Sequence, residues 1–393
     1  MNNEKRLVPK LRFPEFTHAW EQRKLGEVVE IIMGQSPNSE NYTNNPKDHI
    51  LVQGNADIKN GKVFPRTWTT QITKIGKKND LVMSVRAPVG DMAKTDYDVV
   101  LGRGVCAIRG NEFIFQLLNK MKINGYWNTL STGSTFESIN SNDIKNAQIS
   151  IPLPIEQQKI STFFTALDRY ITIHQRKLEN IQKLKKSLLQ KMFPKNDQEF
   201  PEIRFPEFTY AWEQRKLGEI TNSYSGGTPS VSNRNYYGGN IPFIRSGEIS
   251  LDKTELFITD DGLNNSSAKL VSKGDILYAL YGATSGEVSM SLINGAINQA
   301  ILAIQPHENF SSEFIIQWLK GEKLHIISSY LQGGQGNLSA EIVKKLVISL
   351  PKPQEQQKIG TFFTALDRYI TIHQRKLENM QKLKKSLLQQ MFV

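Results

Sequence analysis

The sequence predicts an α+β chain. Two mixed α/β domains are separated by two long antiparallel helices that pair as a coiled-coil strut, the whole repeated about an internal pseudo-twofold. Three observations carry this. The stretch Glu156 to Phe193, EQQKISTFFTALDRYITIHQRKLENIQKLKKSLLQKMF, returns at Glu355 to Phe392 with changes only at Ser161/Gly360, Ile181/Met380 and Lys191/Gln390. An opening segment, Arg12 to Glu27 (RFPEFTHAWEQRKLGE), returns at Arg204 to Glu219 with one change, His18 to Tyr210. Between each opening segment and each long stretch lie short β-prone runs punctuated by Gly, Pro, Asn and Ser.

The long stretches read as helices because neither contains proline and only Gly360 interrupts them. Ile160, Phe164, Leu167, Ile171, His174, Leu178, Ile181 and Leu188 step by alternating threes and fours, apart from one missed position beside Leu184. Phe363, Leu366, Ile370, His373, Leu377, Met380 and Leu387 repeat the pattern. A spacing of about 3.5 residues is that of a coiled-coil seam. An amphipathic helix of roughly 55 Å needs a partner for its apolar stripe, and its own copy is the nearest candidate. Antiparallel pairing would hold whatever follows each copy at opposite ends. His174 and His373 read as polar notches that fix register.

In chain order, 11–155 forms the first domain, 156–193 the first helix, 194–203 a polar linker (PKNDQEFPEI), 204–354 the second domain and 355–393 the second helix. The interiors have diverged, yet landmarks stay aligned: Gly34-Gln35-Ser36-Pro37 with Gly226-Gly227-Thr228-Pro229, Asn79 to Val82 with Gly274 to Leu277, and Val105 to Ile108 with Ile301 to Ile304. Turns follow at Arg86 to Gly90 and Tyr281 to Gly286. Strands are expected at Ile50 to Val52, Asp80 to Val85, Val105 to Ile108, Ile241 to Ile244, Ile276 to Leu280 and Ile301 to Ile304, with short helices at Phe113 to Met121 and Glu313 to Leu319. A shared scaffold with different loops suits two copies of one platform reading two surfaces.

At 393 residues the chain is long enough for two ordinary domains plus the helices. Cys106 is the only cysteine, which excludes internal disulfides and cysteine-based zinc sites. No apolar run approaches a membrane span, and the opening MNNEKRLVPK lacks the apolar core of a signal peptide, so a cytoplasmic protein without a membrane partner is expected. The net charge of +11 points to an anionic partner. The first long stretch carries eight Lys/Arg against three Asp/Glu and the second seven against three, so together they hold nine of the eleven net charges.

No active site can be assembled. There is no Asn-Pro-Pro-aromatic or Asp-Pro-Pro-aromatic tetrapeptide for amino-methylation, no Walker loop, and no Pro-Asp with an acidic-x-Lys pair of the nuclease type. Gly334-Gln335-Gly336 is a turn rather than a dinucleotide fingerprint, and the six histidines show no metal-ligand spacing. The residues favour a non-catalytic protein. The rivals are a self-contained methyltransferase or nuclease, and a coiled-coil adaptor that reads no DNA sequence.

The order GQSP, DLVMSVRAPVG, LGRG, then IPLPIEQQKI and a long helix, with the scheme run twice, resembles the DNA-specificity subunit of type I restriction–modification enzymes (the HsdS family). The resemblance spans essentially the whole chain. It implies that 11–155 and 204–354 are target-recognition domains, each reading one half of a bipartite, asymmetric double-stranded DNA target. It also implies that the helices set the spacing and dock two methyltransferase subunits, which restriction/translocase subunits join. S-adenosylmethionine, ATP and magnesium are then expected on those partners and no cofactor on this chain. The contact candidates lie on expected loops: Gln35, Ser36, Arg66, Trp68, Arg86 and Arg103 in the first domain, and Thr228, Arg234, Tyr236, Tyr237, Arg245, Tyr281, Thr284 and Ser285 in the second. Arginine can hold guanine O6 and N7 with two hydrogen bonds, and the amide, hydroxyl and aromatic groups offer bonding or stacking.

Overall fold

A computed structural model of the chain describes residues 7–130, 138–195, 198–331 and 337–393. The Gly334-Gln335-Gly336 turn and residues 196–197 of the linker lie outside them. The chain is α+β and divides into two compact units: one runs to Lys177 and takes in Gln374–Val393, the other is Leu178–His373. Both boundaries fall inside the long helices, which span Pro154–Lys191 and Pro353–Met391. Each helix begins two residues before the expected start, because the second proline of each Pro-x-Pro occupies the first turn, where a missing N–H costs nothing.

In the first unit, Glu30–Met33, Val105–Arg109, Leu81–Ser84, Met92–Lys94, Lys62–Val63 and Ile58–Lys59 form a sheet in that order. A second sheet runs Tyr42–Thr43, Thr67–Thr69, His49–Val52, Val99–Leu101, Ile75–Gly76, with His49–Val52 parallel to Val99–Leu101. Side chains alternate faces along a strand. Leu81, Met83, Cys106 and Ile108 therefore join the core with Trp20, Phe113 and Trp127, while Val82, Val105 and Ala107 join Val52 and Leu101 in another. The first sheet is buried on both faces, which is why Leu81 to Met83 and Val105 to Ile108 read as unbroken apolar runs.

The second unit keeps the same plan. Thr221–Ser225, Ile301–Pro306, Ile276–Ala279 and Val288–Met290 form one sheet; Leu256–Ile258, Tyr237–Ile244, Gly295–Ile297 and Lys269–Val271 form the other, with Tyr237–Ile244 parallel to Gly295–Ile297. Ile276 and Tyr278 face one core, Leu277 and Ala279 another. The helix expected at Glu313 to Leu319 runs over Ser312–Leu331. Gly321 does not end it, since a mid-helix glycine costs only about 1 kcal/mol and Ile326, one turn beyond, is buried. The helix expected at Phe113 to Met121 spans Glu112–Ile123, with Asn111 Oδ1 accepting from Ile114 N at 3.0 Å as its cap.

The opening segments lock onto the starts of the long helices. Arg12 donates from Nε and Nη2 to the two oxygens of Glu156, both at 2.7 Å, and again to the His18 carbonyl at 2.6 Å. The Glu156 side chain is 1% exposed and also accepts from Trp20 Nε1 at 3.3 Å. The hydrogen bond to Glu156 raises the Arg12 pKa above its ordinary value. Arg204 repeats the fork on Glu355 at 2.7 and 2.8 Å, with Tyr210 O at 2.6 Å. This pairing gives the physical reason why the two duplicated segments travel together.

Within each unit the two long helices run antiparallel. In the first, Phe164 packs on Phe392, Asp168 pairs with Lys384 at 2.6 Å, and Lys376 lies over the Tyr170 ring, so partners fall in number as residues rise. In the second, Lys185 pairs with Asp367 and Phe193 packs on Phe363. A buried glutamine ties each aspartate to its domain: Gln116 Nε2 donates to Asp168 at 2.7 Å, and Gln317 Nε2 to Asp367 at 3.0 Å. Burial alone would raise the Asp367 pKa, but its bonds to Lys185 and Gln317 and the charge of Lys320 outweigh that and lower it.

The Ser161/Gly360 difference also has a cause. A Cβ at Gly360 would lie 2.8 Å from Glu313 Cβ and 2.9 Å from Phe314 N, so the second long helix approaches Ser312–Leu331 too closely for a side chain.

Of the seam residues, Ile160, Phe164, Leu178, Phe363, Leu377 and Met380 are buried. Leu167, Ile171, His174, Ile181, Leu188, Leu366, Ile370, His373 and Leu387 are half-buried. The His174 ring sits 4.3 Å from Tyr170, and His373 4.2 Å from Tyr369.

Candidate nucleic-acid interface

In each unit the strand ends bring several loops to one place, through the same set of backbone bonds. In the first, Gly34 N donates to Val105 O at 3.0 Å and Gln35 N to Leu101 O at 2.8 Å. Gly226 N to Ile301 O (3.3 Å) and Gly227 N to Ile297 O (3.1 Å) repeat this in the second. A turn closes between the next strands, Val105 N to Gly102 O at 3.2 Å and Ile301 N to Asn298 O at 3.1 Å. Val85 N then bonds Gly104 O at 2.9 Å, and Leu280 N bonds Ala300 O at 2.8 Å. Ile139 and Leu338 close the set on Val85 and Leu280.

Glycine is required where these loops meet. A Cβ at Gly34 would sit 2.1 Å from Gly102 O, and one at Gly226 2.0 Å from Ile297 O. Gly34→Val should therefore displace the Gln35-Ser36 loop at a cost of about 1–3 kcal/mol, or somewhat more, in urea denaturation. An unchanged midpoint would show that the loop tolerates a side chain.

The groups gathered differ between the units. The first presents Gln35, Gln53, Arg86 and Arg103, all exposed, with Ser36 Oγ accepting from Arg103 N at 3.1 Å. Among the described residues neither the Arg86 nor the Arg103 guanidinium has an ion-pair partner. The second presents Thr228 and Gln299, exposed and hydrogen-bonded to each other, and Tyr281, half-buried. Partial burial raises the Tyr281 phenol pKa. A rim of guanidinium, amide and hydroxyl groups on a neutral scaffold suits base-edge hydrogen bonding rather than bulk phosphate attraction.

The family model described as the type I restriction modification DNA specificity domain matches twice, over residues 18–183 and 210–382. The chain belongs to this DNA specificity family. The putative type I restriction enzyme MjaX specificity subunit of Methanocaldococcus jannaschii is 32% identical over 195 residues, 47% of this chain and 45% of that one. The MjaIX specificity subunit of the same organism is 22% identical across 94% of this chain and 91% of its own. The type I restriction–modification S subunit of M. genitalium shares the fold at a TM-score of 0.69 and 18% identity, covering 98% and 99% of the two chains.

The contacts expected for a specificity-family member divide by their surroundings. Gln35, Ser36, Arg86 and Arg103 are brought together, as are Thr228 and Tyr281 with the tip of the second turn. Arg234 is exposed at the start of a short helical turn ending at half-buried Tyr236. Trp68, expected on a loop, lies in the strand Thr67–Thr69, half-buried and paired with Ile50 and Thr43. Tyr237 begins the strand Tyr237–Ile244 and donates its hydroxyl to Pro229 O at 2.7 Å.

Arg66 bonds Ala56 O at 3.1 Å and lies 4.0 Å from Asp57. Arg245 is held by Glu248 at 2.8 Å and Glu255 at 2.6 Å, and the hydrogen bond from Arg245 pulls the Glu248 pKa down to about 2. That guanidinium is committed within the protein. Thr284 is half-buried in the turn, and Ser285 is buried with its hydroxyl on Leu280 O at 3.4 Å, so Ser285 shapes the turn instead of facing out.

Gln299 and Gln53 were missed by sequence reading. Gln299 holds the same place in its turn as Arg103, a match visible once Val105 and Ile301 are taken as equivalent.

Among the described residues, no helix is long and apolar enough to cross a membrane.

Proposed function

We propose that this chain is the sequence-reading subunit of a type I restriction–modification complex, working in the cytoplasm and without catalysis of its own. Each domain reads one half of a bipartite, asymmetric double-stranded DNA target. The observation that carries this is one backbone scaffold built twice, with the same loop-closing bonds, presenting different side chains. Equal halves would read equal half-sites; unlike tips call for unlike ones.

Two methyltransferase subunits dock on the long helices, and restriction/translocase subunits join that core. S-adenosylmethionine, ATP and magnesium belong to those partners. In support of two docking places, Phe163, Tyr170 and Ile173 leave an exposed apolar stripe on the first helix, 37%, 44% and 53% exposed. Phe362, Tyr369 and Ile372 repeat it on the second at 38%, 40% and 53%. Adenine methylation by the partners would follow extrusion of the base from the duplex.

Selection from random DNA by the chain with its methyltransferase subunits should return two unlike blocks separated by a fixed gap. Binding by the chain alone should be much weaker, because the two domains contribute little net positive charge. Lengthening both helices by one heptad should change the gap and leave each block intact. A continuous or palindromic motif would defeat the proposal, and an unchanged gap would remove the helices from spacing.

A further inference from the structure

Arg103 and Gln299 hold equivalent positions at the tips of equivalent turns. Each is the second residue of a four-residue turn, Gly102 to Val105 and Asn298 to Ile301, closed at 3.2 and 3.1 Å. Each turn joins a strand of one sheet to a strand of the other, Val99–Leu101 to Val105–Arg109 and Gly295–Ile297 to Ile301–Pro306. Each tip is fixed to the preceding glycine loop, Arg103 through its N–H to Ser36 Oγ at 3.1 Å, Gln299 through its side chain to the Thr228 hydroxyl. Both side chains are exposed. Apart from the Gln299–Thr228 bond, the turn backbone is held by main-chain closures that neither side chain makes, so these two positions can change without altering the fold.

We propose that this turn tip is the specificity-determining position of each domain, with Arg103 reading a guanine in one half-site and Gln299 an adenine in the other. This rests on the reading of the chain as a split-target reader. The guanidinium presents two donors in one plane, matching the O6 and N7 acceptors of guanine. A carboxamide presents one donor and one acceptor, matching N7 and the N6 amino group of adenine. Gln299 Oε1 accepts from Thr228, which fixes the plane of the amide while leaving its N–H groups and a second lone pair on the oxygen to pair with a base.

The test is selection from random DNA by the assembled complex carrying Arg103→Gln, Gln299→Arg or Arg103→Lys. Arg103→Gln should lower the preference for one guanine in a single half-site by about ten- to a hundred-fold and favour adenine there, with the other half unchanged. Gln299→Arg should do the converse in the other half. Arg103→Lys keeps the charge but loses the fork, so it should blur that one position while binding to random DNA is preserved. Unchanged base frequencies with Arg103→Gln and with Gln299→Arg would overturn the proposal. So would a loss of preference across both half-sites, which would make these residues anchors of the assembly. A wild-type complex with no split motif would instead sink the functional reading itself.

Discussion

Replacing Arg12 by alanine is expected to destabilise the first unit by about 3–5 kcal/mol. The change strands the Glu156 carboxylate, 1% exposed, with only the Trp20 indole N–H, among the described residues, at 3.3 Å to satisfy it. Arg204→Ala should cost nearly the same in the second unit, since its fork on Glu355 has almost identical distances. Denaturation followed by amide exchange at the starts of the two long helices would show each loss in its own unit. Replacing both partners, as in Arg12→Met with Glu156→Leu, should cost far less, because no charge is left buried. Equal losses in the single and double variants would mean that packing, and not charge pairing, holds the segment.

Phe392→Ala is expected to remove about 3–5 kcal/mol from the first unit, although the residue follows the second helix. Phe392 is 3% exposed and packs on Phe113, Phe164 and Trp20 at centroid distances of 5.1, 5.8 and 6.1 Å. Phe193 plays the same part on Phe314, Trp212 and Phe363. The functional consequence is crossed. Phe392→Ala should weaken reading by the first domain, and Phe193→Ala reading by the second, as seen in base preferences near the unfolding midpoint. A Phe392→Ala loss confined to the second domain, or a Phe193→Ala loss confined to the first, would contradict this packing.

The helices, the repeat and the α+β class were legible because they depend on periodicity and duplication, which a single chain displays. The aromatic core of the first unit was only half legible. Nothing in the spacing of Trp20 and Phe113 announces that Phe392 completes their cluster, since contacts distant along the chain leave no local pattern.

Local rules also misplaced some candidates. Trp68 looked like a loop residue beside Pro65 and Arg66, yet strand pairing with Ile50 claimed it. Arg245, a contact candidate by residue type, is held within the protein because the fold brings Glu255 against it at 2.6 Å beside Glu248. Gln299 went unnoticed although the alignment of Val105 with Ile301 already sets it opposite Arg103, because an amide opposite a guanidinium in diverged surroundings (Gly102-Arg103-Gly104 against Asn298-Gln299-Ala300) shows no likeness of residue type.

The most direct test exchanges residues 28–150 for the corresponding segment of another family member and sequences methylated DNA from cells carrying the complex. Half of the methylated motif should change while the other half and the gap persist. If both halves stayed the same, or both changed together, the two domains would not be independent readers and the account would be wrong.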